Sequence, residues 1–253
     1  MSSDPSIVED QIASFMELIP AEGGLSVDLA SAQATAELMQ EYRAAIREVT
    51  TKFEILDEDA RLRLRHNPIH TITSRLKSPS SILEKLQRKG LPLSNESIRA
   101  NLYDVAGVRV VCNYIDDIET VAQALLCQDD VQLVVRKDYV ANPKPTGYRS
   151  LHLVITVPVF LNCERIEVPV EVQIRTIAMD FWATLEHQLR YKNQPVVEKA
   201  SPLMDDIRAR LVTCASSITE LDQAMQDIQY DIERLGAGEQ HAAPRSIEVA
   251  VIE

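Results

Sequence analysis

The chain has 253 residues, 45% of them hydrophobic and 25% charged, the balance of a globular protein with a substantial core rather than of a disordered or collagen-like chain. Lys and Arg number 26 against 38 Asp and Glu, a net charge of -12, which argues against a protein that coats duplex DNA. No basic segment at the start leads into an apolar core and no apolar run approaches the ~18 residues of a membrane span, so the expected location is the cytoplasm, with no membrane partner.

The first periodic segment spans 26–57, where Met39, Tyr42, Ile46, Val49, Phe53 and Leu56 recur at alternating spacings of three and four, the signature of an amphipathic helix. Residues 1–25 read as an N-terminal extension. Ile69 to Leu76 is short and β-rich, an edge strand, and Ser78-Pro79 then opens a helix toward Gly90 with an N-cap and an N1 proline. Val105 to Tyr114 is an apolar run suited to a central strand, and Asp116 with Glu119 suggests a capping box at the next helix. Strands are expected at Val131 to Val140 and Leu151 to Val159, joined by the long loop ANPKPTGYRS. From Glu167 to Arg175 apolar and polar residues alternate strictly, with Val168, Val170, Val172 and Ile174 on one face and Glu167, Glu171, Gln173 and Arg175 on the other. A helix should follow from about Ile177 to Tyr191, and Ser201-Pro202 should open a last one. There Ile207, Leu211, Cys214, Ile218, Leu221, Met225, Ile228, Ile232 and Leu235 make a 4,3 seam of coiled-coil type, expected to pair with another subunit or with the N-terminal helix. Residues 236–253 lose the periodicity and read as a mobile tail.

Seven glycines are too few for a glycine-rich phosphate loop, so side chains must hold any nucleotide. The four cysteines, at positions 112, 127, 163 and 214, offer no CxxC or zinc-knuckle spacing and are expected to be buried small hydrophobes. Between Arg61 and Lys89 stand eight Lys or Arg against the single acid Glu84, a focused charge of +7 suited to a compact polyanion such as a nucleoside triphosphate. Arg75 and Lys77 share one face of a strand directly before a helix N-terminus, where free N–H groups also favour anions. Arg61, Arg63 and Arg65 read equally well as a solvated helix face.

Asp104 and Glu171, if brought together across a sheet, can hold Mg²⁺ and orient a hydroxyl for attack on phosphorus; the plainer alternative is two ordinary structural carboxylates. In an ideal strand Asp104 and Arg109 face opposite sides, so both serve one site only if Gly107 allows a bulge or Asp104 precedes the strand. Tyr148, flanked by Lys144, Arg149 and His152 on a proline-containing loop, suits stacking on a purine base; the plainer alternative is cross-strand packing. His187 reads as structural.

Four segments together, SRLKSPSSILEKLQRKG at 74–90, YDVAGVRVVCNY at 103–114, DYVANPKPTGYRSLH at 138–152 and EVQIRTIAMDFWATLEHQLRYK at 171–192, resemble the synthetase domain of the RelA/SpoT alarmone synthetases, particularly the small stand-alone members. The resemblance covers about residues 35–235. It implies an α/β (α+β) fold, a mixed β-sheet flanked by helices and akin to nucleotidyltransferases, with a single synthetase domain over 26–235 whose helix 202–235 serves oligomerisation. It further implies transfer of the pyrophosphate of ATP to the 3′-hydroxyl of GTP or GDP, with Mg²⁺ as cofactor, in a homo-oligomer, a tetramer. Carried over by position, Arg75, Lys77, Lys85, Arg88 and Arg109 are the ATP contacts. Asp104 is the metal ligand and Glu171 meets both metal and acceptor hydroxyl as general base. Tyr148 stacks on guanine, with Lys144, Arg149, His152 and Gln173 around the acceptor.

Thr146 departs from the Asn of many long relatives, and Thr71 and Asp180 replace an aromatic and an Asn that some small synthetases use to bind alarmone. The chain has no His-Asp dipeptide, the mark of the hydrolase domain of long relatives, so synthesis without hydrolysis is expected. Two other readings stand beside this one. A non-catalytic nucleotide- or RNA-binding regulator of the same fold is disfavoured by the presence of both Asp104 and Glu171. A nucleotidyltransferase acting on nucleic acid is disfavoured by the net charge, and single-stranded RNA binding is not indicated.

Overall fold

The structure, a computed structural model, describes residues 29–63, 66–161, 163–192 and 202–238. The expected extension over 1–25 and the tail beyond residue 238 lie outside the described residues, as do Arg65 and Ser201. Helix α1 (Leu29–Arg63) buries Leu38, Tyr42, Ala45, Val49 and Phe53 along one face and lies across strands of the sheet. It runs beyond the expected end at 57 because its last turns are held by i,i+4 pairs, Asp57 with Arg61 (2.8 Å) and Asp59 with Arg63 (2.6 Å). These two arginines are therefore helix-face residues.

Strand β1 (Ile69–Leu76) and helix α2 (Pro79–Arg88) follow as expected, with the Ser78 hydroxyl accepting from the Ser81 N–H. A short helix α3 (Asn95–Asn101), capped by Ser94, was not foreseen; seven residues carry too little periodicity to declare it. Strand β2 (Ala106–Cys112) leads to α4 (Ile115–Leu126). The capping acid of α4 is Asp117, whose Oδ2 accepts from the Tyr114 N–H at 3.0 Å, two residues earlier than the expected Asp116–Glu119 box. Glu119 instead pairs with Arg136 (2.6 Å). Strands β3 (Gln132–Asp138), β4 (Leu151–Leu161) and β5 (Glu164–Thr176) complete the sheet, followed by α5 (Ile177–Lys192) and α6 (Pro202–Gly238).

The five strands lie in the order β1-β2-β5-β4-β3. Only β2 and β5 run parallel; the other pairs are antiparallel, so the sheet is mixed and β1 is an edge, as expected. Val108, Val110, Leu151, Leu153, Val172 and Ile174 are buried on the face covered by α1 and α4, each contributing ~1.5–3 kcal/mol by leaving water. The alternate residues form the opposite, polar face.

The cysteine expectation fails in part. Cys112 is buried but Cys127, Cys163 and Cys214 are exposed, because they fall at a helix end, a tight turn with positive φ and the outer side of α6. The seam of α6 is not where the helix meets the body. Two 4,3 stripes run along α6, one position out of phase, and the body takes the polar one. Ala215, Asp222 and Gln226 are buried. Thr176 donates to Asp222 (2.7 Å), the Asp116 N–H to Gln226 (3.1 Å), Tyr230 bonds Asp116, and Glu233 faces His66 (3.2 Å). Leu221, Met225, Ile228, Ile232 and Leu235 are left exposed, at 47–71%.

Candidate active site

The polar face of the sheet assembles the site because strand register sets which side chains become neighbours. Arg75 on β1 lies opposite Gly107 on β2, and Gly107 opposite Glu171 on β5; the next row holds Thr73, Arg109, Gln173, His152 and Lys137. No side chain at Gly107 stands between Arg75 and Glu171. Asp104 precedes β2, which begins at Ala106, so strand alternation does not bind it and the parity conflict with Arg109 disappears.

Asp104 is held by two lysines. The Lys77 N–H bonds the Val105 carbonyl (2.8 Å), which pins the end of β1 beside the entry to β2, and the Ser78 cap starts α2 so that Lys85 faces the same point. Asp104 Oδ2 thereby receives both Lys77 Nζ (2.9 Å) and Lys85 Nζ (2.6 Å). Burial pushes this carboxyl up, but the two ammonium groups outweigh it and hold the acid below the usual Asp range. Asp104 Oδ1 is buried with no hydrogen-bond partner. A buried, donor-free carboxylate oxygen fits a hard divalent cation, and two carboxylates in all suit Mg²⁺, which takes its remaining ligands from water and phosphate. Arg75 and Arg88 are exposed, on β1 and in the last turn of α2.

Glu171 stands within electrostatic reach of Asp104. Its Oε2 accepts from Gln173 Nε2 (3.0 Å) and its Oε1 lies 3.6 Å from His152 Nδ1, a Coulombic rather than hydrogen-bonded separation. Burial pushes Glu171 up; the imidazole and the amide more than offset it, so the carboxyl sits below the usual Glu range. His152 Nε2 meets the Tyr148 hydroxyl at 2.8 Å. With the phenol donating, Nδ1 carries the hydrogen that faces Glu171. Burial raises the Tyr148 phenol, which keeps it protonated for that role.

Tyr148, Tyr139 and His152 pack edge to face at centroid distances of 5.3–6.2 Å. Lys144 Nζ sits 4.6 Å from the Tyr139 ring centroid and 4.8 Å from that of Tyr148. The loop is closed by Arg149, which donates to the Val140 carbonyl through Nε (3.2 Å) and Nη2 (3.0 Å). Arg149 is therefore turned toward the loop backbone and Asp222 of α6, whereas Lys144, Tyr148, His152, Gln173 and Glu171 converge. Gly147, at φ 81°, lets the loop touch α6.

Three residues of the site were given no role by sequence reasoning. Tyr139 lies within the 138–152 segment, two residues before Ala141 opens the loop, and was assigned no part in it. Arg175 was placed on the polar face, yet it is 2% exposed, sealed by Asp180 on the first turn of α5. Asp180 Oδ1 lies 3.0 Å from Arg175 Nε and 3.4 Å from Arg109 Nη1. The alternation of β5 gives the position of Arg175, but only the packing of α5 gives its partner.

A mixed sheet whose open face runs from a cationic edge, across two carboxylates, to an aromatic loop defines a protein that handles nucleotide polyphosphates. Residues 74–196 match the family model described as the region found in RelA / SpoT proteins. The chain is 42% identical over 193 residues to GTP pyrophosphokinase YwaC of Bacillus subtilis, spanning 76% of this chain and 89% of that one. It is 35% identical to GTP pyrophosphokinase YjbM of the same organism, over 79% and 88%. Its fold is similar to that of small alarmone synthetase 1 from Bacillus subtilis bound to its product pppGpp, with a TM-score of 0.70 and 35% identity over 79% of this chain and 98% of that one. The same enzyme bound to AMPCPP gives a TM-score of 0.65, at 31% identity over 79% and 98%. The chain belongs to the RelA/SpoT family of alarmone synthetases, alongside its small members.

Proposed function

We propose that the protein is a GTP pyrophosphokinase of the stringent stress response, moving the β,γ-pyrophosphate of ATP to the 3′-hydroxyl of GTP or GDP. The observation that carries this reading is the row of Lys77, Lys85 and Asp104 beside Glu171, Gln173, His152 and Tyr148 on one sheet face. Arg75, Lys77, Lys85, Arg88 and Arg109 neutralise and align the triphosphate of ATP; Tyr148 stacks on guanine, with Lys144, His152 and Gln173 around the acceptor. Arg149 acts by closing the acceptor loop. The acceptor 3′-oxygen bonds the β-phosphorus, the bond from that phosphorus to the α,β-bridging oxygen breaks, and AMP leaves. Glu171, ionised at neutral pH because its carboxyl sits below the usual range, takes the hydroxyl proton, so most of the catalysis is positioning and charge neutralisation.

Asp104, through its donor-free Oδ1, and Glu171 would hold Mg²⁺, which when bound supplies charge neutralisation at the transferred phosphates. The exposed apolar stripe of α6, Leu221 to Leu235, supports a homo-oligomer, a tetramer by resemblance. The synthetase unit over 26–235 acts in the cytoplasm and makes alarmone without hydrolysing it.

The test is incubation of the purified chain with Mg²⁺, ATP and either GTP or GDP, followed by anion exchange. AMP and a guanosine penta- or tetraphosphate should appear in equal amounts. Glu171→Gln should keep nucleotide binding and lose on the order of 10²-fold or more in kcat. Absence of product while both nucleotides bind would replace this reading with a regulatory nucleotide-binding module.

A further inference from the structure

Arg175 is the most buried charged side chain on the open face of the sheet among the described residues. It shares a single carboxylate oxygen with Arg109, so two guanidinium groups stand against one negative charge. The Nε of each is buried without a hydrogen bond of proper geometry, although Arg175 Nε lies at ion-pair distance from Asp180. The two arginines belong to different halves of the site. Arg109 is opposite Thr73 on the cationic side, near Arg75, and its side chain is 43% exposed. Both guanidinium charges act on Tyr148, that of Arg175 more strongly than that of Arg109, which sets Arg175 toward the side of the aromatic loop.

Of the two bonds that Asp180 makes, the one to Arg109 is the longer, and it is the one that faces the open site. A polyphosphate arriving there competes with Asp180 for Arg109, and a half-exposed guanidinium moves to the larger negative charge. Asp180 is then free to close on Arg175, whose charge is the less compensated because it is sealed from water. We propose that Asp180 is a positioning residue that couples the two nucleotides: in the empty site it is shared between Arg109 and Arg175, and when the donor polyphosphate takes Arg109 it is left to Arg175 alone, beside Tyr148. Donor binding thereby firms the wall on which the acceptor rests. The inference rests on the assignment above of Arg109 to ATP and Tyr148 to the acceptor.

The experiment is isothermal titration of the full chain with α,β-methylene ATP, with GDP, and with GDP in saturating analogue, at constant Mg²⁺, for wild type, Asp180→Asn and Arg175→Lys. Coupling energies of this kind are ~1–3 kcal/mol, or ~5- to 150-fold; the low end, ~5-fold tighter GDP binding in the presence of the analogue, is expected for wild type. Asp180→Asn, nearly isosteric, should bind the analogue alone ~3- to 10-fold tighter, since Arg109 is released, and should reduce the coupling to less than ~2-fold. Arg175→Lys keeps the charge but not the fork, and should lose coupling while leaving analogue affinity within ~2-fold. GDP affinity indifferent to the analogue in wild type, or Asp180→Asn binding the analogue no tighter, overturns the proposal. Failure of wild type to bind either nucleotide removes the functional reading, and the proposal with it.

Discussion

Replacing Gly147 by Ala probes whether α6 seats the loop that carries Tyr148. Gly147 has φ 81°, and a methyl there would stand 2.2 Å from the Ala215 Cβ, against the ~3.5–4.0 Å at which carbon atoms rest. The left-handed backbone costs an alanine ~1–2 kcal/mol, and the overlap, which must be relieved by parting loop and helix, adds ~1–3 kcal/mol. The variant is therefore expected to lose ~2–5 kcal/mol. Ala215→Gly alone should cost ~1 kcal/mol as a glycine inside a helix, yet in the double variant it removes the obstructing atom. The pair should then lose ~2–3 kcal/mol where additivity would give ~3–6. Urea titration read by Trp182 fluorescence suits the test, since Trp182 is the chain's single tryptophan and its Nε1 lies 3.7 Å from the new methyl. In parallel, Gly147→Ala should raise KM for GDP more than KM for ATP if the loop, as proposed, bears the acceptor aromatic Tyr148 and not the cationic edge. An unchanged midpoint in Gly147→Ala, or a double variant no more stable than the sum of its parts, would refute the seating of the loop on α6.

The carboxyl of Glu171 lies below the usual range, so the acid limb it would impose on kcat as the proposed general base should fall below pH ~4.5. His152→Gln removes part of what opposes burial and should move that limb to higher pH; a limb that stays in place separates His152 from Glu171. The carboxyl of Asp104 has a lowered folded-state pKa, so its pairing stabilises the fold above the unfolded value of ~3.9 and the contribution is lost as pH falls through the lower folded value. Asp104→Asn should accordingly cost ~1–3 kcal/mol at pH 7, leaving Lys77 and Lys85 without their anion, and the gap to wild type in urea midpoint should narrow only below pH ~3.9. Ile228→Lys with Ile232→Lys, at positions 50% and 59% exposed, should convert a multimer into a monomer by light scattering without lowering the monomer's urea stability. A wild-type monomer at micromolar concentration would exclude the oligomer.

The elements legible in the sequence are those whose signal is local. Periods of 3.6 and 2 place α1 and β5, a Ser-Pro pair starts α2, and the proline-glycine run marks the loop between β3 and β4, since each depends on neighbours a few residues away. The residues proposed to meet polyphosphate were legible for a similar reason: a cluster of cations and a pair of carboxylates in ordered motifs is a one-dimensional pattern. What the sequence left open was pairing at a distance. The capping acid of α4 shifted from Glu119 to Asp117 because the N-cap is Tyr114, two residues before Asp116, and Glu119 found Arg136 across 17 positions. The α6 helix carries two interleaved stripes, and its sequence contains no means of telling which one the body will take. The polar stripe was taken because Thr176, Asp116 and His66 offered it hydrogen bonds and charge.

The chain alone determined the mixed α/β composition, the cationic segment, and the candidacy of Asp104, Glu171 and Tyr148. Only the tertiary structure decided that Asp104 lies before β2 and so escapes strand parity, that Arg149 closes its loop while its neighbours converge, and that Asp180 bridges Arg109 to Arg175. The reason is physical: backbone preference and hydrophobic period act within a turn or a strand, whereas these three outcomes depend on strand register and helix packing, which bring together residues up to 71 positions apart.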